Sequence, residues 1–374
     1  MEADLLGSGQ ARMNEAMDER GLWPDEDSPW IRRAMADLAR QRFAPDTVWF
    51  WDGRAWVPVD RGAEPERWAA LVYPEPEQAT VTQVTGGLPT SSLSCVSVVA
   101  DMLDSLMLEP GHEALDLGTG TGWNAALLAH QVGQGGRVVS VEADACLAEA
   151  AARRLGQAGL DVDVRTGDGS AGAPDRGPYD RLIATYSVET VPWAWIEQLR
   201  PGGRMVFPWG RLGHYALTVA DDGKSATGWL QGLALFMGDR RTPAQSSPPP
   251  ALVLDGGDEA TDEELFSDLV DDGHVLFALR VSHPHIVVSV DRTGAEPRVE
   301  LRDAAGRSAS AERNGGRMIT VSGDGQELWT ALRPGHQLWR ERGRPQQWDF
   351  GMTVTPGGQT VWSHTPDNGP YTGR

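Results

Sequence analysis

A doubly wound α/β domain with a mostly parallel sheet is the fold this sequence predicts, and three observations predict it. Between Val81 and about Leu235, short apolar runs alternate with alanine-rich stretches of helical length. A glycine-rich turn, Gly118 to Gly122, joins one of those runs to the helix that follows. Acidic residues, Glu142 and Asp168, end or follow the next two runs, at the sheet edge where such folds bind ligands.

The elements follow in order. Residues 1–78 form an N-terminal accessory segment. It contains an amphipathic stretch, Trp30 to Arg42, and the run VWFWDGRAW, which reads as a strand, an Asp52-Gly53 turn and a second strand. Packing accounts for these aromatics better than a ligand cage does. Residues 79–240 carry the α/β domain. Its strands are expected at Glu113–Leu117, Arg137–Val141, Val162–Thr166, Arg181–Thr185 and Arg204–Pro208, with helices at Asn124–Gln131 and Ala145–Ala158. Residues 241–264 are proline-rich and then acidic, a linker composition. Residues 265–374 hold HVLFALRV, HIVVSV, RVELRD and RMITVS between turns, which predicts a β-rich or α+β accessory domain.

Composition narrows the function. The 374 residues carry 53 acidic and 33 basic side chains, a net charge of −20 that repels phosphate backbones, so nucleic acid is not expected as a partner. No apolar run approaches the ~20 residues that span a bilayer, so no membrane partner is expected. The polar N-terminus lacks the apolar core of a signal peptide, and two cysteines, Cys95 and Cys146, suit a reducing cytoplasm. Lys224 is the single lysine and sits in a turn, which leaves Schiff-base chemistry almost no candidate. Cys95 has no histidine visibly paired with it and reads as a bystander thiol. His283-Pro284-His285 lacks the companions of a metal site, so none is expected. No G-x-S-x-G elbow is present, which argues against a hydrolase.

The stretch Leu115-Asp116-Leu117-Gly118-Thr119-Gly120-Thr121-Gly122-Trp123-Asn124 supplies residues without Cβ where a strand turns tightly into a helix. Glu142 lies about 20 residues beyond Gly122, where a carboxylate can take both ribose hydroxyls. Asp168 stands in Thr166-Gly167-Asp168-Gly169. Helix capping is the plain alternative for either acid alone. A dinucleotide loop places its third glycine where Trp123 stands here, whereas G-x-G-x-G after an aspartate resembles the first motif of class I (Rossmann-like) S-adenosylmethionine (AdoMet) methyltransferases.

From Glu109-Pro110-Gly111 through Glu142, and at Gly167-Asp168-Gly169, Val191-Pro192, Arg200-Pro201-Gly202-Gly203-Arg204 and Phe207-Pro208-Trp209-Gly210, the chain resembles the protein-L-isoaspartate O-methyltransferase family, over roughly Val81 to Gly238. Thr90-Ser91-Ser92-Leu93-Ser94-Cys95-Val96 aligns with the family's Thr-Ile-Ser-x-Pro segment, with Leu93 for isoleucine, Val96 for proline and extra serines. Those serines, VTQVTGG and the extension containing RERGRPQQWDFGMTVTPGGQTVW resemble the branch encoded beside lanthipeptide, graspetide and lasso-peptide pathways.

The resemblance implies AdoMet as cofactor, with S-adenosylhomocysteine as product. Gly118, Thr119, Gly120 and Gly122 would hold the methionine part, with Asp116 near its ammonium. Glu142 would take the ribose, Asp168 and Gly169 the adenine edge, and Tyr186 would lie where the sheet meets the ligand. Ser94 would be the catalytic position, orienting the acceptor carboxylate, and helix capping is its alternative role. Ser92 and Arg211 would bind substrate. The branch implies esterification of an aspartate in a macrocyclised precursor peptide, leading to aspartimide. Repair of isoaspartyl proteins and cofactor binding without catalysis are the alternatives.

Overall fold

The computed structural model describes residues 2–24, 28–210, 213–239, 258–259, 263–294, 296–303, 305–314, 318–323 and 326–371. The chain divides into two compact units, Met1–Asp239 with Val354–Gly358, and Arg240–Thr353 with Gln359–Arg374.

The first unit begins with α1 (Glu2–Glu19), α2 (Pro29–Asp37), the hairpin β1 (Thr47–Trp51) and β2 (Trp56–Asp60), and α3 (Pro65–Val72). The Asp52-Gly53 turn forms as its sequence predicts: the Asp52 carboxylate accepts the amides of Arg54 and Ala55 at 2.7 and 2.8 Å. Helix α1 has a weak sequence signal. Leu6, Met13 and Met17 are its buried apolar residues, and Gly7 and Gly9 interrupt it. The helix exists by packing. A Cβ at Gly9 would fall 2.8 Å from the Tyr73 ring, so glycine lets the helix close on the segment after α3.

Next come β3 (Thr80–Thr85), β4 (Leu88–Leu93) and α4 (Val96–Leu106). Strands β3 and β4 pair antiparallel, and β1 joins β3 to give a sheet of order β2-β1-β3-β4. The expected boundary at residues 78 and 79 therefore separates nothing. The amphipathic α2 buries Trp30, Ile31, Ala34 and Met35 in the same core as α4 and α5 (Trp123–Val132), because the apolar stripe it presents needs a partner face.

The α/β part consists of β5 (Glu113–Leu117), α5, β6 (Arg137–Glu142), α6 (Ala145–Gln157), β7 (Asp163–Thr166), β8 (Tyr179–Ala184), α7 (Trp193–Glu197), β9 (Leu199–Trp209), β10 (Gly213–Val219) and β11 (Ala226–Gly232). All five expected strands are present, with β9 longer than its apolar run. Their order is β11-β10-β9-β8-β5-β6-β7, parallel from β9 to β7 and antiparallel at β10 and β11. From β5 the chain winds outward through β6 and β7, then returns to place β8 on the other flank of β5. That reversal opens a crevice at the carboxyl ends of β5 and β8.

The second unit is α+β, as its sequence predicts. It comprises β12 (Asp258–Glu259), α8 (Glu263–Asp271), α9 (Gly273–Ser282), the antiparallel strands β13 (Ile286–Asp291), β14 (Arg298–Asp303), β15 (Ser308–Asn314) and β16 (Met318–Gly323), α10 (Gln326–Glu341), β17 (Phe350–Thr355) and β18 (Gly358–Ser363). Most of the expected linker lies outside the described residues, and its last two residues, Glu263 and Glu264, already belong to α8. Trp329, Trp339 and Trp362 are core residues at 1% exposure or less, while Trp348 is 45% exposed.

Behind the sheet, β10 presents His214 to α4. The imidazole is 0% exposed, its Nε2 meets Ser105 Oγ at 3.3 Å and lies 3.9 Å from Asp101 Oδ2, and its Nδ1 has no partner among the described residues. Burial lowers its pKa to about 4. Asp101 itself is pushed up to about 6 by burial and by the neighbouring Asp104, so near pH 5 it offers little countercharge. A histidine depressed in the fold contributes stability that is complete above its unfolded value near 6.5 and is lost as pH falls toward 4. The wild type should therefore lose stability by up to about 1.4 kcal/mol per pH unit from this group over that window. The expected outcome is a steeper fall of Tm from pH 7 to 4.5 in the wild type than in His214→Phe, read by circular dichroism. Parallel slopes would remove His214 from the acid response.

Candidate functional site

The crevice is floored by the loop after β5. Gly118, Gly120 and Gly122 take φ of 92°, 53° and 92°, a left-handed region in which a Cβ is strained. Hydrogen bonds close the loop: Gly118 N–H donates to Val141 O at 2.8 Å, Gly122 N–H to Thr119 O at 2.8 Å, and Thr185 Oγ1 to Gly118 O at 2.7 Å. A Cβ at Gly118 would fall 2.9 Å from Thr185 Oγ1 and 3.0 Å from the Tyr186 ring, so this glycine is needed for the close approach of the β8 loop.

Asp116 and Thr119 serve the loop from below. Asp116 is 0% exposed, with Oδ1 accepting from Asn124 Nδ2 at 2.7 Å and Oδ2 from Ser140 Oγ at 2.6 Å. Thr119 Oγ1 shares a 2.6 Å hydrogen bond with the same Ser140 hydroxyl. Burial lifts the Asp116 pKa to about 6; the Ser140 and Asn124 hydrogen bonds oppose that rise and the nearby Glu142 charge adds to it. The two side chains expected to face methionine thus brace the loop from inside, and Asp116 can act on a bound cation only through its field.

Glu142 closes the second side of the crevice. One carboxylate oxygen accepts Gly120 N–H at 2.8 Å and the other Asp144 N–H at 3.1 Å, so the acid stands against the loop at 6% exposure. Capping of α6 falls instead to Asp144, which accepts the amides of Cys146 and Leu147 at 2.9 and 3.2 Å. Glu142 is thereby relieved of the capping role that was its alternative reading. Asp168, exposed after β7, accepts both the amide and the hydroxyl of Ser170 at 2.9 and 2.8 Å. Gly169 lies beside Tyr186: a Cβ there would be 2.5 Å from the phenol oxygen. The Gly169 carbonyl accepts from Trp195 Nε1 at 2.9 Å.

The roof is β4. A Cβ at Gly120 would stand in the gap between loop and roof, 3.7 Å from Ser91 Oγ and 3.9 Å from Ser92 O. Ser91 is buried and accepts from Thr82 Oγ1 at 3.1 Å, whereas Ser92 and Ser94 are half-buried. Gln83 ties the β3–β4 hairpin to the end of β6, donating to Asp144 Oδ2 at 3.2 Å and accepting from Thr90 Oγ1 at 2.8 Å. Helix α4 has Cys95 as its N-cap, with no side-chain cap bond, so the Ser94 hydroxyl is not spent on capping. Burial raises the Cys95 thiol, which leaves it a poor nucleophile.

The crevice therefore gathers Gly118, Gly120, Gly122, Glu142, Gly169 and Tyr186, with the Ser91 hydroxyl and the Ser92 carbonyl above Gly120. Arg211 lies outside the described residues. Its neighbours Trp209 and Gly210 are held to the segment after β8, Trp209 Nε1 donating to Glu189 O at 3.0 Å and Gly210 N–H to Val188 O at 3.0 Å.

Sequence reasoning passed over Arg40, Trp123 and Trp195. Arg40, 3% exposed, donates to Val72 O, Leu93 O and Ser94 O at 2.9, 2.9 and 2.6 Å and to Thr80 Oγ1 at 3.3 Å. Burial pushes its pKa down to about 10. Its guanidinium carbon stands 5.0 Å from the centre of the Trp123 ring, and Trp123 Nε1 donates to Leu38 O at 3.0 Å. Trp195 is 0% exposed and edges against Tyr186 and Phe207 at 6.4 and 5.9 Å. The one available signal was Trp123 in place of a third spaced glycine, since so large a side chain there needs a partner outside the loop.

Residues 59–229 match the family model described as protein-L-isoaspartate(D-aspartate) O-methyltransferase. Protein-L-isoaspartate O-methyltransferase 1 of Archaeoglobus fulgidus is 36% identical over 174 residues, 46% of this chain and 77% of that protein. The protein-L-isoaspartate O-methyltransferases of Methanopyrus kandleri and Pyrococcus horikoshii are 42% and 44% identical over 32% of this chain and 54% of each relative. The chain thus spans about half the length of these two curated relatives. A solved structure named protein-L-isoaspartate O-methyltransferase superposes with a TM-score of 0.52 and 20% identity, covering 98% of this chain and 100% of that one. At that identity the likeness shows the fold alone. With three glycines, Glu142 and Asp168 on one sheet edge and the Archaeoglobus relative matched over 77% of its length, this chain belongs to the protein-L-isoaspartate O-methyltransferase family, on the class I AdoMet methyltransferase fold.

Proposed function

We propose that the chain is an AdoMet-dependent carboxyl O-methyltransferase that esterifies isoaspartyl residues of peptides and proteins. The observation that carries this reading is the crevice itself: a glycine loop and Glu142 on one side, and a serine-bearing strand crossing above Gly120. The residues fit the cofactor. Gly120 leaves the loop bare of a side chain beneath β4, where a Cβ would already touch Ser91 and Ser92, and Glu142 would offer its carboxylate to the ribose. Gly169, which has no side chain to contest the space beside Tyr186, would border the adenine with Asp168.

When bound, AdoMet supplies an electrophilic methyl on a sulfonium. The protein's own task is then modest. An acceptor carboxylate with a pKa near ~3.9 is already ionised, so no general base is needed. Transfer brings opposite charges together, and a crevice roofed by β4 keeps water from stabilising them apart. Ser94 would donate a hydrogen bond that turns one carboxylate lone pair toward the methyl, alignment being worth up to ~7–11 kcal/mol in favourable cases. Ser92 would border the same acceptor.

The macrocycle-tailoring reading rests on the extra serines of β4, VTQVTGG and the C-terminal extension, and the relatives favour the isoaspartyl substrate. Three substrates separate them at equal AdoMet: a generic isoaspartyl peptide, a linear aspartyl peptide and a macrocyclic aspartyl peptide, followed by mass spectrometry. The generic isoaspartyl peptide is expected to gain a methyl most efficiently. Preference for the macrocycle, with loss of water as imide forms, would transfer the assignment to tailoring. No methyl transfer to any of them, with AdoMet bound, would leave a cofactor-binding protein.

Two substitutions test the roles. Glu142→Ala should weaken AdoMet binding by ~1.5–3 kcal/mol, the worth of hydrogen bonds to a charged group, as measured by calorimetry on folded protein. Unchanged affinity would remove Glu142 from the ribose site. Ser94→Ala should lower kcat about ten-fold or more while leaving cofactor affinity within about two-fold. Normal turnover per folded molecule would take Ser94 out of the reaction.

A further inference from the structure

The β4–α4 junction, which carries Ser94, and the β5–α5 loop, which carries the glycines, are separate elements. One side chain touches both. Arg40 lies in a short turn after α2, and two of its nitrogens reach consecutive carbonyls at the end of β4, Leu93 O at 2.9 Å and Ser94 O at 2.6 Å. Its Nε is taken by Val72 O at 2.9 Å, which fixes the plane of the fork. Beneath that plane lies the ring of Trp123, the residue directly after Gly122, 5.0 Å from the guanidinium carbon. Trp123 answers by donating to Leu38 O, two residues before Arg40, at 3.0 Å. The turn from Leu38 to Arg40 is therefore held by both elements at once.

The choice of arginine is informative. All four oxygens that Arg40 meets are neutral, so its charge is desolvated without a carboxylate to offset the cost. An apolar side chain of similar length would fill the same space but leave the carbonyls of Val72, Leu93 and Ser94 without this donor. It would not point two consecutive carbonyls in set directions, which a rigid planar fork does. Fixing the carbonyls of Leu93 and Ser94 fixes the Cα–Cβ bond of Ser94 as well.

Resting on the reading of Ser94 given above, we propose that Arg40 is a positioning residue for methyl transfer: it locks the Leu93–Ser94 backbone onto Trp123 and so sets where the Ser94 hydroxyl stands relative to the glycine loop. A lysine would donate to these carbonyls from a single point and lacks the planar fork that sets their directions. Arg40 acts on turnover through Ser94, so its effect on kcat shows only while Ser94 has a hydroxyl to place.

A double-mutant cycle on the full-length chain tests this, with an isoaspartyl peptide as acceptor and assays run well below each variant's Tm. Arg40→Lys should lower kcat about ten-fold while KM for AdoMet moves less than about two-fold; in the Ser94→Ala background the same change should cost less than about two-fold. A merely structural arginine would lower Tm and leave turnover per folded molecule alone, and that result overturns the proposal. Equal losses in both backgrounds also overturn it, while leaving Ser94 in place. Full activity of Ser94→Ala alone sinks the reading of Ser94 itself. Should Arg40→Lys fail to fold, Trp123→Phe takes its place, since it keeps a ring under the guanidinium and drops only the bond to Leu38 O. A loss of about three-fold confined to the Ser94 background supports the proposal, and equal loss in both backgrounds overturns it.

Discussion

The buried guanidinium of Arg40 is the constraint on which the first unit's construction turns. Three backbone carbonyls, from the ends of α3 and β4 and from Ser94, point into a space from which water is excluded. Each would be left without a donor if the arginine were removed, at a cost of about 1–3 kcal/mol apiece. The indole of Trp123 supplies an attractive face for the cation in place of a carboxylate. The N-terminal helices, the small antiparallel sheet and the α/β sheet therefore share one core. They are not a domain with an appendage.

That shared core explains the shape of the crevice. Doubly wound sheets open at the point where strand order reverses, and here the reversal at β5 gives a shelf with the glycine loop on it. A shelf alone is open to solvent. The β3–β4 hairpin, part of the N-terminal sheet, roofs it, and Gln83 fastens the hairpin to Asp144 at the end of β6. For the carboxyl methylation proposed above, a roof would matter more than a base, because an ionised carboxylate needs dryness and direction more than it needs deprotonation.

The aromatic wall beyond the loop works the same way. Tyr186, Trp195, Phe207, Tyr215 and Trp209 follow one another edge to face or stacked at 5.8 to 6.4 Å, and Trp195 and Trp209 spend their indole N–H groups on carbonyls of Gly169 and Glu189. Their ring area rigidifies loops that carry little side-chain bulk of their own. The second unit, too, keeps Trp329, Trp339 and Trp362 for its own interior, which leaves Trp348 as the exposed member of that set.

By itself the sequence determined whatever depends on local pattern. Strand–helix alternation fixed the doubly wound sheet, since period-two and helical runs bury their faces only against each other. Gly118, Gly120 and Gly122 announced the tight strand-to-helix turn, at whose positive φ a Cβ is strained. The positions of Glu142 at the end of β6 and Asp168 just after β7 were legible because chain order and sheet order coincide at β5, β6 and β7. Helix α1 was not legible, its apolar stripe being too thin without the surface that covers it. Nor was the inward turn of Asp116 and Thr119, which hydrogen-bond partners on β6 and α5 decide. Arg40 reads in the chain as one more surface cation at the end of an amphipathic stretch. Only the tertiary structure could place it, because its four acceptors lie 32 to 54 residues away and come together when the sheets pack.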